Sequence, residues 1–160
     1  MRAVYEARMP TAAIGPVTPG PLEYDVAWKA AQQMTHRPVK IGAISAQLVE
    51  ASINNDHYED RRHLVFDLSE ATNQAFHGLA DAGCPVIQVE EPCIHGIAGT
   101  AHGAMLDAEF YVEAFNHEVR GLRAKTEVWC HTCWGNPAAQ RARDRHYSYA
   151  AALPYLERLD

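Results

Sequence analysis

Nowhere in this chain do apolar residues run for the roughly 20 positions that a bilayer-spanning helix requires, so a membrane partner is not expected. The opening Met1-Arg2-Ala3, followed by Tyr-Glu-Ala-Arg, lacks the hydrophobic stretch of an export signal, and a cytoplasmic setting is the expectation. There is also no run of lysine or arginine to follow a phosphate backbone. With 14 basic residues against 20 acidic ones and a net charge of −6, nucleic acid is not an expected partner. Cysteine is scarce: Cys84, Cys93, Cys130 and Cys133 are all there is, and no second Cys-x-x-Cys completes a zinc ribbon with Cys130 and Cys133. Without an export signal, these thiols point to metal binding or catalysis rather than to disulfides. Apolar side chains, by contrast, make up 48% of the 160 residues, enough for the core of one ordinary domain. Nine histidines add to the case for metal chemistry.

Strand-like apolar runs recur at Val39 to Ser45, Cys84 to Glu90 and Thr126 to Thr132, about 42 to 45 residues apart, with a shorter one near Thr11 to Ile14. Helix-period segments lie between them. The first is expected to start at Pro21 after Gly20 and to turn Val26, Ala30 and Met34 inward. The second carries Leu64, Leu68, Ala71, Ala75 and Leu79 at steps of three or four, and the third Leu106, Phe110, Ala114, Val119 and Leu122. Strand, helix, strand at this spacing predicts right-handed βαβ units and a parallel sheet, an α/β fold of about four βα units. Gly135-Asn136-Pro137 then predicts a further helix through Ala152.

The third long strand ends in His131-Thr132-Cys133. In extended backbone, side chains two apart share a face, so the imidazole and the thiolate can converge on one tetrahedral metal as half of a zinc site. The same pair also suits a buried polar group beside a small hydrophobe. Cys130 and Cys133 form a redox pair only if the chain turns at Thr132, because residues three apart in a strand face opposite ways. In Val86-Ile87-Gln88-Val89-Glu90-Glu91-Pro92, alternation sends Ile87 and Val89 to the helices and Gln88 and Glu90 to the other face. A polar pair at the carboxyl end of a parallel strand is where α/β ligand sites form; a carboxylate paired with a surface arginine is the competing reading. Pro92 ends the ladder, and the segment after it, with Cys93, His95 and His102 among glycines, reads as a flexible loop in preference to an auxiliary metal site. Asn116 and His117, midway along the third helix, line a pocket if they project beyond it; a solvated helix face explains them as well.

Taken in order, "RPVKIGAIS", "LADAGCPVIQVEEP", "EAFN" and "EVWCHTCWGNP" resemble the catalytic C-terminal domain of cobalamin-independent methionine synthase and its relatives, which include the epoxyalkane:coenzyme M transferases. The resemblance runs from roughly Pro10 to Leu159, and the pairing of QxEEP with HxC about 40 residues later is more specific than either motif alone. It implies a (β/α)8 TIM barrel with Zn2+ at its C-terminal face, of which residues 1–160 are a part that stops after the His-x-Cys element and its following helix. His131 and Cys133 map onto two zinc ligands, the remaining ligands lying beyond Asp160. Glu90 maps onto the acidic catalytic residue that helps hold an amino-acid thiol, with Glu standing where the family has Asp.

Gln88 joins Glu90 as a substrate-binding candidate, and so does Asn136, which opens a helix whose free N–H groups suit an anionic substrate group. The implied reaction is zinc-dependent methyl transfer from a methyl-folate to homocysteine, as in methionine biosynthesis. A second reading keeps the site but adds a coenzyme M-like thiol to an epoxide. A reading of another class is an inactive fragment or non-catalytic module with merely buried Cys and His. A half barrel with open sheet edges invites association into a homo-oligomer.

Overall fold

The computed structural model of the protein describes residues 11–98, 107–133 and 149–160. In chain order the elements are β1 (Ala12–Ala13), α1 (Tyr24–Gln33), β2 (Ile41–Ile44), α2 (Ala46–Glu50), β3 (Asn54–Asn55), α3 (Arg61–Asp81), β4 (Val86–Glu90), α4 (Cys93–Ala98), α5 (Ala108–Glu118), a 3-10 turn (Leu122–Ala124), β5 (Glu127–His131) and α6 (Leu153–Leu156). Strands β2, β4 and β5 lie side by side in that order, all parallel, so each passage from one to the next is a crossover carrying helix, as the spacing predicts. Their register brings Ile44, Glu90 and His131 level at the carboxyl ends. The fold is α/β with parallel strands, and the sheet does not close into a barrel among the described residues. Strands β1 and β3 form a separate parallel pair, joined by Asn54 N donating to Thr11 O (2.8 Å) and Asp56 N to Ala13 O (3.0 Å). Nothing in the β-poor sequence of β3 announces that pairing.

One face of the three-stranded sheet packs on helices. Ala43, Ile87 and Val89 meet Trp28, Phe76, Leu79, Phe115, Val119 and Leu122 in the main core. Two expected helix faces are rotated. In α1 the inward residues are Tyr24 and Trp28, whereas Val26 and Met34 are 55% and 88% exposed and Ala30 faces solvent too. Trp28 wins the core because its ring buries more area than a valine or methionine and its indole N–H donates to Val39 O at 2.9 Å. The helix also begins at Tyr24 rather than Pro21, behind Glu23 at a left-handed φ of 52°.

In α3 the buried stripe is Leu64, Val65, Ser69, Thr72, Asn73, Phe76, Leu79 and Ala80, so Leu68, Ala71 and Ala75 sit beside it, half-buried. Polar residues enter the stripe because their bonds are made there: Asn73 Nδ2 donates to the carbonyls of Glu118 (2.8 Å) and Arg120 (3.1 Å). Past the end of α3, Gly83 takes φ 102°, turning the chain into β4 against the Trp28 ring.

The segment after Pro92 is a short helix, α4, in place of the expected loop at Cys93 to Ala98. Its first N–H groups, those of Cys93 and Ile94, donate to Glu91 Oε1 at 2.7 and 2.9 Å, which caps it. Phe110, Ala114, Val119 and Leu122 are buried as the period predicts. Asn116 is not a solvated bystander: it accepts from Asp160 N and donates to Arg158 O, both at 2.9 Å, holding the last residues against α5. His117 pairs with Glu70 at 3.2 Å. Most of the expected helix following Asn136, along with His102 and Leu106, lies outside the described residues; its expected last residues, 149–152, form a turn ahead of α6 and not a helix.

Candidate active site at the carboxyl end of the sheet

Because β2, β4 and β5 are parallel and in register, the side chains that do not face the helices form one polar surface. Gln88 and Glu90 project from β4 to that face while Ile87 and Val89 are fully buried on the other. On the neighbouring strand Glu90 is level with His131, and Glu90 Oε2 lies 3.3 Å from His131 Nε2. Gln88 Nε2 donates to the second oxygen, Glu90 Oε1, at 2.6 Å. Lys40, just before β2, donates from Nζ to Gln88 Oε1 at 2.5 Å and lies 4.4 Å from the ring centroid of Trp129. Gly42 opposite Gln88 leaves this surface open, for a Cβ there would stand 3.4 Å from Glu90 Oε1. The result is a continuous line of contacts, Lys40 to Gln88 to Glu90 to His131, across three strands.

With Nε2 of His131 beside Glu90 Oε2, the ring nitrogen left over for a metal is Nδ1. β5 ends at His131, and Cys133 lies two residues beyond it, half-buried. The donor chemistry fits two positions of a tetrahedral zinc shell, one nitrogen and one sulfur. Among the described residues no three His, Cys, Asp or Glu side chains gather to hold a metal ion. Asn136 also lies outside the described residues.

Sequence reasoning missed Lys40 and Trp129. The available signal was the two-residue period itself, which puts Lys40 on the face of Gly42 and Ile44, and Trp129 on the face of His131. A groove of about 640 Å³ lined by Val128, Cys130, Leu156 and Leu159 lies on the opposite face of β5 and contains none of the polar line.

Directly behind the site sits a fully buried acid. Glu91 continues the ladder by donating its N–H to His131 O at 2.7 Å, while its carboxyl turns inward beneath α4. Ser45 and Gln47 approach that carboxyl, yet Oε2 has no hydrogen-bond partner among the described residues. Burial raises its pKa from 4.5 to about 7, against the opposing pull of the Ile94 N–H. Glu118, whose carboxylate accepts from Ala46 N, is raised in the same direction by burial.

A folded carboxyl that keeps its proton longer than the unfolded one stabilises the fold fully below pH 4.5 and loses that contribution as pH rises through about 7. Glu91→Gln keeps the Oε1 acceptor and cannot ionise. Urea titrations are expected to show it level with the parent protein at pH 4 and more stable at pH 8, by up to about 3 kcal/mol. Equal slopes of stability against pH in the two proteins would remove this assignment.

The family described as "Cobalamin-independent synthase, Catalytic domain" matches residues 4–140. The chain belongs to that family. Within it, a methionine synthase of Saccharolobus islandicus is 35% identical over 105 residues, covering 66% of this chain and 25% of the relative. One from Sulfurisphaera tokodaii is 32% identical over 106 residues, with coverages of 66% and 25%. The chain thus matches about a quarter of the length of those curated relatives.

A solved B12-independent methionine synthase from Shewanella sp. W3-18-1, in complex with selenomethionine, is similar with a TM-score of 0.78 at 21% identity, over 93% of this chain and 43% of that one. A putative vitamin-B12 independent methionine synthase from Listeria monocytogenes gives a TM-score of 0.67 at 17% identity, over 81% and 43%. At these identities the two structures speak for the fold, an arrangement of parallel strands and helices shared with less than half of each larger chain.

Proposed function

We propose that this cobalamin-independent synthase domain takes part in methyl transfer to the thiol of homocysteine from a methyl-folate, with Zn2+ as the metal. The observation that carries the reading is the level placement of Glu90 and His131 at the carboxyl ends of adjacent parallel strands, with 3.3 Å between their side chains. Support comes from the methionine synthases it is similar to and from the selenomethionine held by the Shewanella structure. His131 and Cys133 are the residues that would hold the metal. When bound, zinc keeps a substrate thiol deprotonated at neutral pH while leaving the sulfur nucleophilic.

The other roles belong to the chain's own side chains. Glu90 receives the α-ammonium of the amino-acid thiol, for which a carboxylate held by one donor and facing an open strand end is a suitable acceptor. Gln88 fixes that carboxylate, and Asn136 is proposed as a further contact for an anionic group of the substrate. Over the whole reaction the sulfur gains the methyl carbon, and the donor nitrogen takes the proton that the thiol gives up.

Glu90→Gln preserves the shape and removes the charge. It is expected to lower kcat/KM for homocysteine by about 10- to 100-fold, the range for loss of a charged hydrogen bond, and to leave the analogue lacking the amino group nearly untouched. Steady-state assays with the two thiols check this, and an equal loss for both would move Glu90 out of the ammonium-binding role.

A further inference from the structure

Lys40 lies within RPVKIGAIS and has no part in the chemistry proposed so far, yet it sits at the head of the polar line. A glutamine amide is nearly symmetric in shape and can present either its oxygen or its nitrogen. An ammonium has donors only, so with Lys40 Nζ on Gln88 Oε1 at 2.5 Å the amide must turn its nitrogen toward Glu90, where it donates to Oε1 at 2.6 Å. That bond in turn leaves Glu90 Oε2 directed at His131. An exposed lysine paired by charge alone would be loosely held. Lys40 is held from a second side by the face of Trp129 at 4.4 Å, an attraction between a cation and an aromatic ring. Gly42, between Lys40 and the carboxylate on the same strand face, adds no side chain to interrupt the line.

We propose that Lys40, seated on Trp129, is a positioning residue that acts through Gln88 to set the orientation of the Glu90 carboxylate. This rests on the reading of Glu90 as the acceptor of the substrate ammonium. Lys40 touches neither Glu90 nor His131 among the bonds described. Its effect is therefore expected on recognition of the amino group, and it vanishes once Gln88 is removed.

The test uses the full chain with Lys40→Met, Lys40→Arg, Gln88→Met and the double variant. In 1H–15N spectra the Gln88 side-chain amide, identified by its loss in Gln88→Met, is expected to shift in Lys40→Met and to return toward its original position in Lys40→Arg. In titrations, the preference for homocysteine over 4-sulfanylbutanoate, the same thiol acid without the amine, is expected to fall about tenfold in Lys40→Met. Adding Lys40→Met to Gln88→Met is expected to change nothing further.

An unmoved Gln88 amide overturns the proposal whatever the protein binds, and so does an additive effect in the double variant. A shifted amide in a protein that does not distinguish the two thiols supports the Lys40 relay and overturns the ammonium role of Glu90 instead.

Discussion

Exchanging His131 for alanine is expected to strip zinc from the protein and to abolish thiol methylation while leaving the fold in place. His131 ends a strand with its side chain 43% exposed, so its removal opens no cavity in the core and gives up only the pairing with Glu90. The loss to the metal is larger. Replacing a residue that merely orients a ligand lowers metal affinity by about 10- to 100-fold, and removing a ligand outright goes beyond that range. Cys133→Ser is expected to follow, since a hydroxyl does not replace the thiolate that zinc favours. Metal content after dialysis, read beside a circular dichroism spectrum, checks both. Stoichiometric zinc retained by His131→Ala would place the metal elsewhere and take the proposed function with it.

Phe76→Ala is the corresponding test of the scaffold. Phe76 is fully buried on α3, stacks on Tyr24 with centroids 6.1 Å apart, and lies in the cluster that joins α1, α3 and α5 to the sheet. Truncation there is expected to destabilise by about 3–5 kcal/mol through lost transfer energy and the cavity left behind. Against a total of about 5–15 kcal/mol for an ordinary domain, this is a large share. Val26→Ala on α1, although also a loss of apolar side chain, removes a residue that is 55% exposed and is expected to change stability by less than about 0.5 kcal/mol. Urea midpoints at constant slope measure the difference. Similar losses in the two variants would mean that α1 packs through Val26, as helical period alone suggests.

The strands that carry the site were legible because their period is two and their composition is apolar. Ile87 and Val89 against Gln88 and Glu90 read directly as two faces, and they are two faces. Parallel pairing followed from the spacing of strand and helix. The helices were less legible: α1 and α3 each hold more apolar residues than one face accommodates, and the choice between neighbouring stripes falls to the partner surface. Trp28 and Phe76 fill the space above the sheet, and Asn73 enters the buried stripe because two carbonyls of the α5 end wait for its amide. At Glu91 the sequence shows only that Pro92 follows and ends the ladder. The buried Glu91 carboxyl caps α4, a partner that lies on its own loop but whose effect depends on the layer of Ser45 and Gln47 around it.

The sequence by itself determined the chemistry available to this protein: a polar pair at one strand end, an imidazole and a thiol at another, and enough apolar alternation to lay both strands in one sheet. Those are local properties, set by residue type and by a two-residue period. Only the tertiary structure decided that Glu90 stands level with His131, that Lys40 reaches Gln88 across a strand, and that Cys133 lies past the end of β5. Each of these depends on register between strands more than 40 residues apart in the chain. Register is set by how the helices pack over the sheet, and one chain segment cannot specify it alone.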